Sequence, residues 1–280
     1  HGCHGAGIGA RKSPAAPSRA SSSYMTLKPL RKLRKASTAL SGADLPPAAV
    51  FEAAVDASAS KAGYAWDKTL VLGFLAGALI GFGALLSCVV GGNSPQLASA
   101  NPGLAAIVKG AIGLPAGLAM VILTGSELFT DNVFVMLSGF LSKRVSMEKL
   151  AKNWLWSFAG NFAGALCLVY MSFLAKTTAS SALSASVIQL AVAKVNMGFV
   201  TLFTKGILCN WLVCLAVWMA MAAQTAPGKM LSVLVPISTF VALGFEHSIA
   251  NMFLIPQGML AGAAVTVRQF LVANLLPVTL

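Results

Sequence analysis

Acidic residues are scarce in this sequence. Eight Asp and Glu stand against 20 Lys and Arg, and charged residues of all kinds make up 10% of the chain. A soluble domain carries about 25% charged residues, so an ordinary water-facing surface is excluded. Cysteine offers no pairing pattern. Cys3, Cys88, Cys167, Cys209 and Cys214 are scattered, four of them in apolar segments, with no CxxC spacing. That argues against a disulfide framework or a thiolate zinc site and for small apolar packing. Histidine occurs only as His1, His4 and His247. No nucleophile–base pair, phosphate loop or dinucleotide fingerprint is present, so the reading is not an enzyme, with no metal and no cofactor.

What remains is apolar. Hydrophobic residues make up 57% of the 280 positions and the mean hydropathy is +0.78, which predicts a polytopic, all-α membrane protein. The net charge of +12 resembles a nucleic-acid signal but is not one. Residues 1–43 supply eight of those charges, from Arg11, Lys12, Arg19, Lys28, Arg31, Lys32, Arg34 and Lys35, with no acid among them. A leader that is basic, Ser- and Ala-rich and free of acids has the composition of an organelle transit peptide, and lacks the apolar core of a secretory signal. The alternative is a basic tail beside anionic lipid. Its alanine content favours a plastid over a mitochondrion.

Residues 44–68 read as an amphipathic N-terminal helix and linker, with Asp44 as cap and Pro46 and Pro47 in the first turn. Residues 69–280 read as the transmembrane domain, in halves of about 69–175 and 195–280. Apolar runs at 70–91, 154–175 and 199–223 each suffice for one crossing, since about 20 residues cover the hydrocarbon core. The runs at 104–140 and 230–263 are too long for one. Between them a Ser-, Thr- and Ala-rich stretch to about Lys194 reads as a polar loop. An apolar segment starting at Phe270 stops at Leu280, read as a sixth helix truncated in this chain. Two halves of three crossings are inverted relative to each other. Counting basic residues with the N-terminus inside puts Lys61, Lys68, Lys143, Arg144, Lys149, Lys152 and Lys229 on the inner side. Lys109, Lys176, Lys194, Lys205 and Arg268 fall outside.

Both long runs hold one pattern, Gly-x-Glu-x-x-x-x-Asn-x-Phe, at Gly125–Phe134 and again at Gly244–Phe253. Matching interruptions in two halves point to a transport site built from discontinuous helices. Glu127 and Glu246 are read as loop-stabilising carboxylates, accepting the N–H groups freed by the break, because an acidic lining would repel an anion. His247, the one imidazole of the membrane part, replaces Leu128 of the first copy. With an unperturbed pKa near about 6.5 it is the candidate proton-handling group. Thr130 is either a capping hydroxyl or its partner across the repeat. Lys194 by itself reads as a snorkelling anchor.

These motifs carry a resemblance. Leu123-Thr124-Gly125-Ser126-Glu127-Leu128-Phe129-Thr130, Lys152-Asn153-Trp154, the run Gly206 to Trp218 and the run Gly244 to Phe253 resemble the formate/nitrite transporter family over about 74–280. With the leader, the algal chloroplast nitrite branch fits best. Glu127 stands where some members have Asp, and the family continues through a sixth helix beyond Thr279. The resemblance implies an aquaporin-like six-helix inverted repeat with two broken helices, assembled as a homopentamer with one pore per subunit. It also implies passage of small monovalent weak-acid anions. By motif position it puts His247, Thr130, Lys194 and Asn210 along the pore, and Leu118, Phe129, Val213 and Phe240 at apolar constrictions.

The expectation is therefore nitrite transport in the chloroplast envelope, its inner membrane, or alternatively in a plasma or mitochondrial membrane. Its partners are a small anion, a coupled proton, lipid and sister subunits, with no nucleic acid. Formate or another monocarboxylate is the rival substrate. A water channel fits less well, because Asn251 is followed by Met252 and no Asn-Pro-Ala signature occurs. A non-transporting scaffold predicts that Glu127, Glu246 and His247 are dispensable.

Overall fold

The computed structural model describes residues 1, 2, 4 and 43–280. The basic leader read over 1–43 therefore lies almost wholly outside the described residues. From residue 43 onward the described chain is helical. In order the helices are α1 (Pro47–Lys61), α2 (Trp66–Gly92), α3 (Pro95–Ala100), α4 (Pro102–Thr124), α5 (Phe129–Leu141) and α6 (Met147–Leu174). Then come α7 (Ser181–Val195), α8 (Phe199–Ala222), α9 (Ala226–Ala242) and α10 (Ser248–Leu260). A π-helical turn over Gln269–Leu275 leads into Leu276–Thr279. Four of these helices, α2, α4, α6 and α8, are long and apolar enough to cross a membrane. Their outward faces stay apolar: Val71, Leu155, Val200 and Trp211 are all exposed. In water such faces would cost roughly 25 cal/mol per Å²; against hydrocarbon they cost nothing.

Two expectations need correction. The stretch before Lys194 is not a polar loop but helix α7. Its buried residues Leu183, Val187, Ala191 and Lys194 recur at helical spacing, while its serines are half-buried or exposed. Asp44 does not cap α1: Pro46 is the N-cap residue, no side chain caps it, and the helix opens on Pro47, whose fixed φ suits the first turn. α1 is packed against the other helices. It buries Val50, Ala54, Val55 and Ser58 and packs on α5, while the Leu45 N–H donates to the Ala222 carbonyl at the end of α8 (2.9 Å).

These corrections complete the symmetry. As α1 packs on α5, so α7 packs on α10. At the first contact a Cβ added to Gly139 would lie 1.8 Å from Ser58 Oγ; at the second, a Cβ on Gly258 would lie 2.4 Å from Ala191 Cβ. Only glycine permits either approach. Each short helix carries a lysine in its last turn, Lys61 or Lys194, and is followed by a long helix, α2 or α8. Each repeat therefore opens with a short helix that hydropathy alone overlooks. The long helices close in on each other through Gly77 and Gly164, whose added Cβ atoms would meet the Asn161 and Phe74 backbones at 2.1 and 1.9 Å.

Candidate functional site

Each broken helix stops in the same way. Gly125 and Gly244 both adopt φ +69°, a left-handed conformation that β-carbons disfavour. The next N–H closes back onto the helix: Ser126 donates to the Val121 carbonyl (3.1 Å) and Phe245 to the Phe240 carbonyl (3.0 Å). This is a Schellman stop, which satisfies carbonyls that would otherwise be orphaned in a dry interior. The Gly of the repeated pattern is there for this turn. The following residue is the Glu, and a new helix starts within the next two positions.

The carboxylates are buried, but they do not accept loop N–H groups as expected. Glu127 takes an ion pair from Lys61 Nζ, with Asn132 Nδ2 (2.8 Å) and Asn153 Nδ2 (3.1 Å) on its other oxygen. Glu246 takes Lys194 Nζ on both oxygens, each at 2.8 Å, and Asn251 Nδ2 at 2.8 Å. Asn251 and Asn274 then bond side chain to side chain (2.8 Å), and Asn274 Nδ2 reaches the Lys194 carbonyl (2.9 Å). A short helix supplies the cation, the break supplies the anion, and the restarting helix supplies the amide. In the first half the freed backbone is served by Asn161 instead. Its Oδ1 accepts the Phe129 N–H (2.8 Å), and its Nδ2 donates to the Gly73 and Glu127 carbonyls (2.8 and 2.9 Å). Lys194 is thus neither an anchor nor a loop charge, and Lys61 likewise leaves the count of inner loop charges.

Where the two breaks meet, Thr130 Oγ1 lies 3.2 Å from His247 Nε2. Thr130 is no cap, since α5 has Leu128 at its N-cap position and no capping side chain. His247 is itself the N-cap of α10: its Nδ1 accepts the Ala250 N–H at 3.0 Å. A nitrogen that accepts carries no proton, so the neutral ring holds its proton on Nε2, aimed at Thr130. The ring stacks on Phe240, with centroids 5.8 Å apart and planes 11° from parallel.

His247 borders three spaces. One cavity of about 410 Å³ is lined by Phe129, Thr130, Trp154, Asn210, Cys214 and His247, among others. A second, of about 140 Å³, is lined by Ser87, Lys109, Lys194, Phe240, Glu246 and His247, among others. A third, of about 10 Å³, is walled by Ile80, Leu114, Leu118, Leu128, Val213, Ile237, Phe240 and His247, which is barely room for the centre of one water. Of the four apolar candidates, Leu118, Val213 and Phe240 form this narrow space. Phe129 faces the larger cavity, edge-on to Trp154 and Phe158. Asn210 and Lys194 lie on different cavities, and the Asn210 Oδ1 is buried without a partner.

Lys61, Asn153, Asn161 and Asn274 carry no sign in composition or hydropathy. Asn132 and Asn251 were visible as the fixed Asn of the pattern, five residues after each Glu, but their task of holding that Glu shows only in three dimensions.

Comparison with known proteins agrees with this geometry. A family profile described as formate/nitrite transporter matches residues 48–280. The chain is 42% identical over 228 residues to a probable formate transporter of Methanothermobacter thermautotrophicus, covering 76% of this chain and 82% of that protein. It is 35% identical over 258 residues to the formate channel FocA of Escherichia coli K12, covering 84% and 88%. Among solved structures it resembles an FNT family ion channel, with TM-score 0.74 and 27% identity over 83% of this chain and 92% of the other. It also resembles a pentameric formate channel with formate bound, with TM-score 0.68 and 30% identity over 76% and 90%.

Proposed function

We propose a transport role for this chain, which belongs to the formate/nitrite transporter family, a family of channels and transporters rather than enzymes. The substrate is a small monovalent weak-acid anion, with nitrite and formate both accepted. The observation that carries the reading is the Thr130–His247 contact between two helix breaks, with a cavity on either side. Two half-helix N-termini, of α5 and α10, meet there, and their partial positive charge favours an anion. The apolar ring of Leu118, Val213 and Phe240 strips water from what passes. A bare charge crossing that ring would be very costly. The Nε2–H of His247 is placed to hydrogen-bond the anion, and a proton taken up from solution onto that His247–anion pair lets the substrate cross nearly neutral while the ring keeps its own. Thr130 accepts the Nε2–H between passages, and Asn210 lines the larger cavity, its Oδ1 placed to accept from a protonated substrate.

Formate is supported by the relatives named for it. Nitrite, another small planar anion, differs too little for an apolar ring to reject it. The acid-free leader supports delivery to a plastid envelope, where nitrite is the expected cargo. The pentameric relative supports a homopentamer with one pore per subunit, set in lipid. Uptake into proteoliposomes, with nitrite and formate competing, tests this reading. His247→Phe should abolish the flux of both anions. Unchanged flux with unchanged pH dependence would refute the proton role, and absence of flux in the wild type would refute transport.

A further inference from the structure

The two cavities that flank His247 differ in charge. On the larger, the charged side chain in the lining among the described residues is Glu246, held by Lys194. On the smaller, the lining includes Lys109, Lys194 and Glu246. Lys194 is neutralised there, since both oxygens of Glu246 accept its ammonium at 2.8 Å. Lys109 is not. Among the described residues it makes no ion pair, and no hydrogen bond from its ammonium is found. Sequence counting placed it among loop charges, yet it lies in α4, well past the helix start at Pro102. Its stem crosses Gly91 of α2, where an added Cβ would lie 3.1 Å from Lys109 Cδ. The Ser87 hydroxyl donates to the Lys109 backbone carbonyl (3.3 Å) and fixes that turn. The absence of a side chain at Gly91 leaves the path by which the lysine reaches the cavity.

We propose that Lys109 is the anion-capture residue of the smaller cavity, and that it recognises the ionised substrate before the proton of His247 is engaged. The proposal rests on the transport reading above. An ammonium on a cavity wall without a fixed counter-ion acquires a mobile one. Lys194 is poorly suited to that task because its charge is already balanced by Glu246. The net positive charge of this vestibule therefore resides in Lys109. An anion approaching through the α4–α7 cavity is therefore attracted by Lys109. What is captured is the anion rather than the neutral acid.

The test is uptake of nitrite and of formate by reconstituted full-length protein of known sidedness. Wild type, Lys109→Met and Lys109→Arg are measured at low and near-physiological salt. Met keeps the stem over Gly91 and removes only the charge. For substrate added on the side of the smaller cavity, Lys109→Met should raise the half-saturating concentration about five-fold at about 10 mM salt, while saturated flux changes by less than about two-fold. The rise should shrink at about 150 mM salt, where the Debye length is about 8 Å. Lys109→Arg should stay near wild type. Substrate added on the opposite side should show no change in half-saturation. Identical half-saturation and identical salt dependence in wild type and Lys109→Met would overturn the proposal. So would failure of Lys109→Met to fold, which would make the charge structural. A wild type without flux sinks the transport reading instead.

Discussion

The first helix break and the second are built on one plan, yet only one of them carries the imidazole. Both stop on a glycine at φ +69°, both bury a glutamate, and both clamp it between a lysine from a short helix and an asparagine five residues on. The position after the glutamate differs: it is Leu128 in the first copy and His247 in the second. Leu128 is fully buried and helps wall the narrowest space; His247 borders all three. The surroundings differ as well. Lys61 retains 19% side-chain exposure and Lys194 10%, and the first glutamate binds its lysine through one oxygen while the second uses both. Architecture is therefore shared between the halves, and the imidazole is confined to one. The imidazole is needed once in the proposed mechanism, because the two breaks meet at Thr130 and His247.

The largest contrast should come from the glutamates. Glu246→Gln leaves Lys194 charged and buried, so stability should fall by about 3–5 kcal/mol, the usual cost of breaking a buried pair. Glu127→Gln should cost about half of that, because Lys61 can turn its ammonium toward water. Thermal unfolding of the detergent-solubilised protein compares the two. Equal losses would mean that the difference in exposure has no energetic consequence.

Next is the residue that breaks the symmetry. His247→Leu makes the second copy match the first and should lower anion flux about a hundred-fold, on the scale of losing one well-placed donor. The protein should remain folded, since Leu already occupies the corresponding place in the other half. Flux in proteoliposomes, read alongside the unfolding curve, separates the two effects.

The glycine contacts of the short helices should differ more subtly. Gly258→Ala presses on the Val187 carbonyl, 2.6 Å from the added Cβ, as well as on Ala191. Backbone cannot rotate away, so about 1–3 kcal/mol should be lost. Gly139→Ala meets Ser58 Oγ and Cβ foremost, so a second change, Ser58→Gly, should restore most of its loss. No equivalent change should rescue Gly258→Ala. The smallest contrast is expected at the stops themselves. Gly125→Ala and Gly244→Ala should each cost about 1–2 kcal/mol through the left-handed backbone alone. Nothing lies within 4 Å of a Cβ at either place, so the two losses should be equal. Unequal unfolding temperatures would show that the stops are not equivalent.

The repeated pattern made much of this legible. A glycine, a glutamate and an asparagine recurring at fixed spacing inside two over-long apolar runs located both breaks to within a few residues. The exchange of Leu128 for His247 marked the half that carries the imidazole. What escaped notice were partners distant in sequence. Glu127 meets Lys61 across 66 positions and Glu246 meets Lys194 across 52. Those lysines sit at the ends of helices too short and too rich in small or polar residues to register as membrane segments. Counting charges by loop placed Lys61, Lys109 and Lys194 with the solvent-exposed charges, when two are held in ion pairs and one lines a cavity.

By itself the sequence determined the class of molecule, the two interruptions and the one imidazole, because apolar length and glycine spacing act locally on the chain. Only the tertiary structure decided which lysine neutralises which carboxylate, which nitrogen of His247 carries the proton, and which cation is left facing open space. Those outcomes depend on which groups come within a few ångströms of one another in a medium too dry to screen them, and packing alone sets that distance.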